Sequence, residues 1–142
     1  MALVFGDSGS RAVLVTYFNN VRPAGGNNFQ LRLFTNNITP LDTHTAADYT
    51  QAAGGGYAAK TLNNGGFTRS NVGGIEQVTY PEQVFTFSGP LNGGATIYGY
   101  EVLDADGVHI YAERDLTPFT PAGDGDTYKV NVKIQASKGT PT

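Results

Sequence analysis

The chain has 142 residues, 19 glycines, no cysteine and a net charge of −3, with 15% of its residues charged. No cysteine means no disulfide, no thiolate metal site and no cysteine nucleophile, and the nine basic residues are scattered rather than clustered as a nucleic-acid footprint requires. The richness in glycine, asparagine and threonine suits short strands joined by turns, in a single domain long enough to bury roughly two-thirds of its unfolded surface.

Met1 to Phe5 is an apolar arm without a basic leader, so no signal peptide is expected. No apolar run approaches the ~20 residues of a membrane helix, and no membrane partner is expected. Leu14, Tyr17, Phe18 and Val21 recur at helical spacing and predict a helix over 8–21, capped by Ser8 or Ser10, although Val13, Val15 and Thr16 favour a strand. Arg22 to Asn28 breaks the chain.

Phe29 to Thr35 alternates, with Phe29, Leu31 and Leu33 on one face and Gln30 and Arg32 on the other, and predicts a strand. Leu41 to Gly56 is polar, ends in three glycines, and predicts a long surface loop with His44 and Tyr49 as candidate contact residues. Tyr57 to Leu62 predicts a short strand. Asn63 to Gly74 reads as glycine- and asparagine-rich turns around Phe67, a further candidate contact. Ile75 to Tyr80 and Gln83 to Phe87 predict strands on either side of Pro81, and Ser88 to Gly94 a loop.

Ala95 to Arg114 reads as a β-hairpin around Asp104-Ala105-Asp106-Gly107. A two-residue turn would mix apolar and charged residues on each face. A three-residue loop, Ala105 to Gly107, sets Asp104 opposite Val108 and puts Gly107 in the left-handed conformation. One face then carries Tyr98, Tyr100, Val102, Val108, Ile110 and Ala112. The other, expected to face solvent, carries Glu101, Leu103, His109, Tyr111 and Glu113, with Tyr111 as an interfacial candidate. Asp115 to Asp126 is expected to be turn-rich. Thr127 to Gln135 predicts the last strand, with Tyr128, Val130, Val132 and Ile134 inside.

These elements predict a mainly β fold: an antiparallel β-sandwich, jelly-roll-like, over 29–136. Residues 1–28 form an N-terminal arm with at most one short helix, and 137–142 a mobile tail.

Gly6-Asp7-Ser8-Gly9 and Asp106-x-x-His109 resemble motifs of GDSL-type esterases, which would cast Ser8 as nucleophile, His109 as base and Asp106 as its orienter. That family is rich in helices, and its oxyanion-hole blocks have no counterpart here, so Asp106 and His109 are read instead as turn and solvent-face residues. Asp104-x-Asp106 and Asp124-x-Asp126 lack the glycine and glutamate of a calcium loop and read as turns. Gly54-Gly55-Gly56 leads into no helix and is not a phosphate loop. The reading is of a protein without catalytic residues, metal or cofactor.

Leu31 to Pro40, Gly56 to Ala59, Tyr80 to Phe87, Ile97 to Tyr100 and Ala112 to Arg114, taken in order, resemble small virion proteins of tailed bacteriophages, among them capsid cement (decoration) proteins. The resemblance covers about Phe29 to Ile134; Gly6 to Arg11 departs from it. It implies a sandwich made in the host cytoplasm and bound to the major capsid protein on the outer surface of the virion, as homotrimers. In that setting Met1, Leu3, Val4 and Phe5 of the arm join His44, Tyr49, Phe67 and Tyr111 as candidate capsid or subunit contacts. A tail- or fibre-associated protein and a carbohydrate-binding module are the alternatives.

Overall fold

The computed structural model describes residues 24–135 and the backbone of residues 3–5. Met1, the helix expected over 8–21 and the tail at 137–142 lie outside the described residues.

The described residues form ten strands, joined by loops and single 3-10 turns: β1 (Leu3–Phe5), β2 (Phe29–Phe34), β3 (Lys60–Leu62), β4 (Thr68–Val72), β5 (Ile75–Thr79), β6 (Gln83–Ser88), β7 (Ile97–Leu103), β8 (His109–Phe119), β9 (Asp124–Val130) and β10 (Lys133–Gln135). A five-stranded antiparallel sheet runs β1-β8-β7-β2-β3. A three-stranded sheet, β10-β5-β4, and a two-stranded sheet, β6-β9, complete the fold. The main core joins Leu31, Leu33, Val102 and Tyr111 of the large sheet to Phe85, Phe87, Tyr128 and Val130 of the β6-β9 pair. The fold is therefore mainly β, antiparallel and sandwich-like.

The alternation in Phe29–Phe34 places Leu31 and Leu33 in this core as expected. Phe34 points the other way and is also fully buried, in a second cluster with Tyr49 and Ala112. The outer face of the large sheet is thus covered. Its cover is the segment expected to be a surface loop. Gln51 bridges Phe34, the Asn36 side chain accepts from Thr50 N–H and donates to the Asp48 carbonyl, both at 2.8 Å, and Tyr49 and Ala52 are buried. Polar residues here bond the segment down instead of solvating it.

The β7–β8 turn forms as read. Asp104 N–H donates to Val108 O at 2.9 Å, Gly107 has φ +81°, and Asp104 Oδ1 accepts from the backbone of Asp106 and Val108. Beyond it the expected faces do not persist. Leu103 pairs with His109, but Val102 pairs with Tyr111, so Ile110 is an extra residue on β8. This bulge exchanges the faces of that arm. Tyr111 enters the main core beside Val102, and Ala112 moves to the Glu101 face. A second irregularity between Ile97 and Gly99 leaves Tyr98 against the outer cluster while Ile97 and Tyr100 join the core.

Four boundaries also differ. The strand expected from Tyr57 shortens to Lys60–Leu62, the expected turns at 63–74 contain β4, and β8 and β9 extend into the expected loop at 115–126. The last strand splits between β9 and β10, which belong to different sheets. Its alternation survives the break, with Tyr128, Val130 and Val132 buried and Ile134 half-buried.

Candidate functional site

Polar side chains gather on the covered outer face of the large sheet. Glu101 and His109, expected in solvent, have side chains only 1% exposed, with Glu101 Oε2 at 3.2 Å from His109 Nδ1. Arg32 is the cross-strand partner of Glu101 and donates from Nε to Gln30 Oε1 at 2.6 Å. The Tyr49 ring stacks on His109 at 5.0 Å, 18° from parallel. His44 Nδ1 lies 3.2 Å from the Tyr49 hydroxyl and accepts from Leu41 N–H at 3.3 Å. Both histidines of the chain thus flank one tyrosine. Burial first, then the Glu101 and Asp48 charges, push the Tyr49 phenol well above its ordinary range. Hydrogen bonds from the Thr45 backbone and hydroxyl hold the Asp48 carboxyl below its ordinary range.

Asp106 does not orient His109. Its carboxylate accepts from Ala24 N–H at 2.8 Å and Gly25 N–H at 2.7 Å, clamping the chain entering β2 to the β7–β8 turn. A Cβ on Gly25 would lie 2.5 Å from the Ala105 carbonyl oxygen, so glycine allows this approach. Asp106→Ala is expected to cost about 1–2 kcal/mol and to speed hydrogen exchange at Ala24 and Gly25 while leaving β6 and β9 protected. Unchanged exchange there would count against the clamp. The other acidic turn is also structural: Asp126 Oδ2 accepts from Ala122 and Gly123 N–H, which lowers the carboxyl's pKa. Among the described residues no group of three or more metal-binding side chains occurs.

On the opposite face, Glu113 and Asp115 stand two residues apart on β8, and each accepts from a tyrosine. Tyr100 donates to Glu113, and Tyr128 donates to Asp115 Oδ2 at 2.8 Å. A cavity of about 380 Å³ beside these pairs is also lined by Lys129, Asn131 and Lys133. Burial, then the bond to a carboxylate, raises both phenols far above their ordinary range. They stay protonated and tie β7 and β9 to β8. The sequence carried a signal for this pair, the i, i+2 spacing of Glu113 and Asp115. The tyrosine partners come from other strands and have no local signature.

The Tyr111 hydroxyl is buried without a hydrogen-bond partner. Tyr111→Phe removes that hydroxyl and keeps the ring, so stability is expected to stay level or rise by about 1–3 kcal/mol. A loss in urea unfolding would reveal a partner for it.

The candidate contact residues are dispersed. Tyr111 and Tyr49 are buried, at 0% and 4% exposure, so neither presents a surface. The β8 bulge accounts for the first and the bonded-down loop for the second. His44 is half-buried against Tyr49. Phe67 wedges between Phe29 and Tyr80, at ring distances of 5.5 and 4.9 Å, and anchors the base of β4. The backbone of Leu3, Val4 and Phe5 pairs with Glu113, Ala112 and Tyr111, so the arm forms an edge strand of its own sheet.

The exposed apolar side chains lie elsewhere. Leu116 on β8, Leu41, and Val72 and Ile75 at the β4–β5 tip are 77%, 52%, 57% and 40% exposed. No large exposed apolar side chain among the described residues is aromatic. No family model, curated protein or solved structure matches the chain.

Proposed function

We propose that this protein is a structural component of a bacteriophage virion that binds the outer capsid surface and stabilises the shell. One observation carries the reading: ionisable groups suited to chemistry are engaged with each other, whereas apolar side chains suited to adhesion face solvent. Glu101 with His109, Tyr100 with Glu113 and Tyr128 with Asp115 form internal pairs. Leu41, Val72, Ile75 and Leu116 stand out from the sandwich. The ordered motifs between Phe29 and Ile134 support the same reading. A cement protein needs a rigid scaffold with adhesive projections and no active site. Because it binds the assembled shell and not its separated parts, it stabilises the shell by mass action, and many repeated contacts add avidity.

The carbohydrate-binding alternative needs an exposed aromatic platform, and of Tyr98, Tyr100 and Tyr111 the first is half-buried and the other two are buried. The tail or fibre alternative differs in copy number. The test is to add the purified protein to capsids lacking it and follow co-sedimentation, shell melting and electron cryo-microscopy. Saturable binding with a raised shell melting temperature is expected. A few copies confined to the tail, or no binding, would refute the proposal.

A further inference from the structure

Two asparagines, Asn64 and Asn92, stand directly before a glycine. At such a pair the next peptide nitrogen can attack the asparagine carboxamide, since glycine places no Cβ beside the nucleophile. The step is intramolecular, so its rate turns on whether the fold lets the two groups meet. Both asparagines open a three-residue 3-10 turn of sequence Asn-Gly-Gly, so the local sequence is matched and the surroundings decide between them.

Asn92 is seated on the neighbouring segment. Its N–H donates to the Ala53 carbonyl at 2.8 Å, and Leu91 before it is buried and bridges Gly54. A Cβ added to Gly54 would lie 2.1 Å from Asn92 Oδ1 and 2.8 Å from its Cγ. The carboxamide therefore rests against the Gly54 backbone, and reaching the Gly93 nitrogen means lifting it away. Asn64 and Gly65 have no such cover. Both are exposed, the Asn64 carboxamide has no hydrogen-bond partner among the described residues, and nothing lies within 4 Å of a Cβ at Gly65. The bonds of this turn run from Gly66 N–H to Asn63 O at 2.9 Å and from Phe67 N–H to Asn64 O at 3.4 Å, leaving the Gly65 N–H outside them. Asn64 N–H is tied to Asn28 Oδ1 at 3.2 Å, which holds the entry to the turn while the side chain and the next amide are left to rotate.

We propose that Asn64-Gly65 is a self-modification site of the folded protein, converting to aspartyl and isoaspartyl forms without an enzyme. The Gly65 nitrogen gives up its proton and bonds to Asn64 Cγ. The carboxamide C–N bond breaks and ammonia leaves, closing a cyclic imide. Water then opens the imide, at the side-chain carbonyl to give aspartate or at the main-chain carbonyl to give isoaspartate. Water is the one co-reactant, and nothing is oxidised or reduced. Either product adds a negative charge to a chain of net charge −3, beside the apolar side chains of Phe29, Phe67 and Ile134 with which Asn64 lines a cavity. Isoaspartate also lengthens the main chain between β3 and β4 by one methylene. The site holds or fails independently of the capsid reading.

Incubating the protein at mildly alkaline pH and following each asparagine by peptide mass spectrometry tests it, with the same chain in guanidinium chloride as the unfolded reference. Asn64 is expected to convert in the folded protein within about tenfold of its unfolded rate, and Asn92 more than about tenfold below its own, a ratio worth ~1.4 kcal/mol of activation free energy. Gly65→Ala, which has room for its Cβ, is expected to slow conversion at Asn64 about tenfold or more while the melting temperature holds. Asn64→Asp is expected to co-elute with the aspartyl product on ion exchange. Equal folded-state rates at the two asparagines, protection of Asn64 as deep as that of Asn92, or a Gly65→Ala rate equal to the native one would overturn the proposal.

Discussion

Glu101→Ala is expected to lower the unfolding free energy by about 1–3 kcal/mol, read by urea denaturation. Glu101 and His109 are almost wholly buried, and the second carboxylate oxygen of Glu101 has no hydrogen-bond partner. Removing the carboxylate takes away the contact between Glu101 and the buried His109 ring beneath Tyr49. Replacing both partners of a buried hydrogen bond by apolar groups is nearly neutral, whereas removing one of them carries a desolvation cost. The double variant Glu101→Leu/His109→Leu is therefore expected to be more stable than either single alanine variant. Additive losses in a double-mutant cycle would show that the two residues do not act as a pair.

Gly99→Ala is expected to cost about 3 kcal/mol or more. A Cβ at position 99 would sit 2.1 Å from the Glu113 carbonyl oxygen and 2.7 Å from Phe34 Cζ. The first clash is with the backbone of the neighbouring strand, which moves only if the β7–β8 pairing opens. The second is with the fully buried ring that anchors the outer cluster. Gly65→Ala is the control: nothing lies within 4 Å of its added Cβ, so it is expected to be near neutral or slightly stabilising. Equal melting temperatures for the two variants would refute the close approach at Gly99.

Both effects arise on a sheet face that looked solvated from the sequence. Glu101, Leu103 and His109 do share that face, as their spacing implied. Its cover does not follow from spacing, because the segment carrying Tyr49 is polar and its hydrogen bonds to Asn36 and Thr35 cross about 15 residues. The strand β4 was equally hidden. It packs along β5 at the edge of its sheet and is mostly solvent-exposed, so no apolar alternation marks it.

What the sequence by itself determined is local. Alternation placed Leu31, Leu33, Tyr128, Val130 and Val132 in the core, and Asp104 to Gly107 set the turn between the two central strands, because side-chain period and glycine conformation are properties of a few adjacent residues. Only the tertiary structure decided which face of β8 holds Tyr111, which segment covers Glu101 and His109, and which tyrosines meet Glu113 and Asp115. One extra residue at Ile110 reverses a strand's faces. That reversal brings the Tyr111 ring into the core between two layers, a long-range packing that local spacing does not encode.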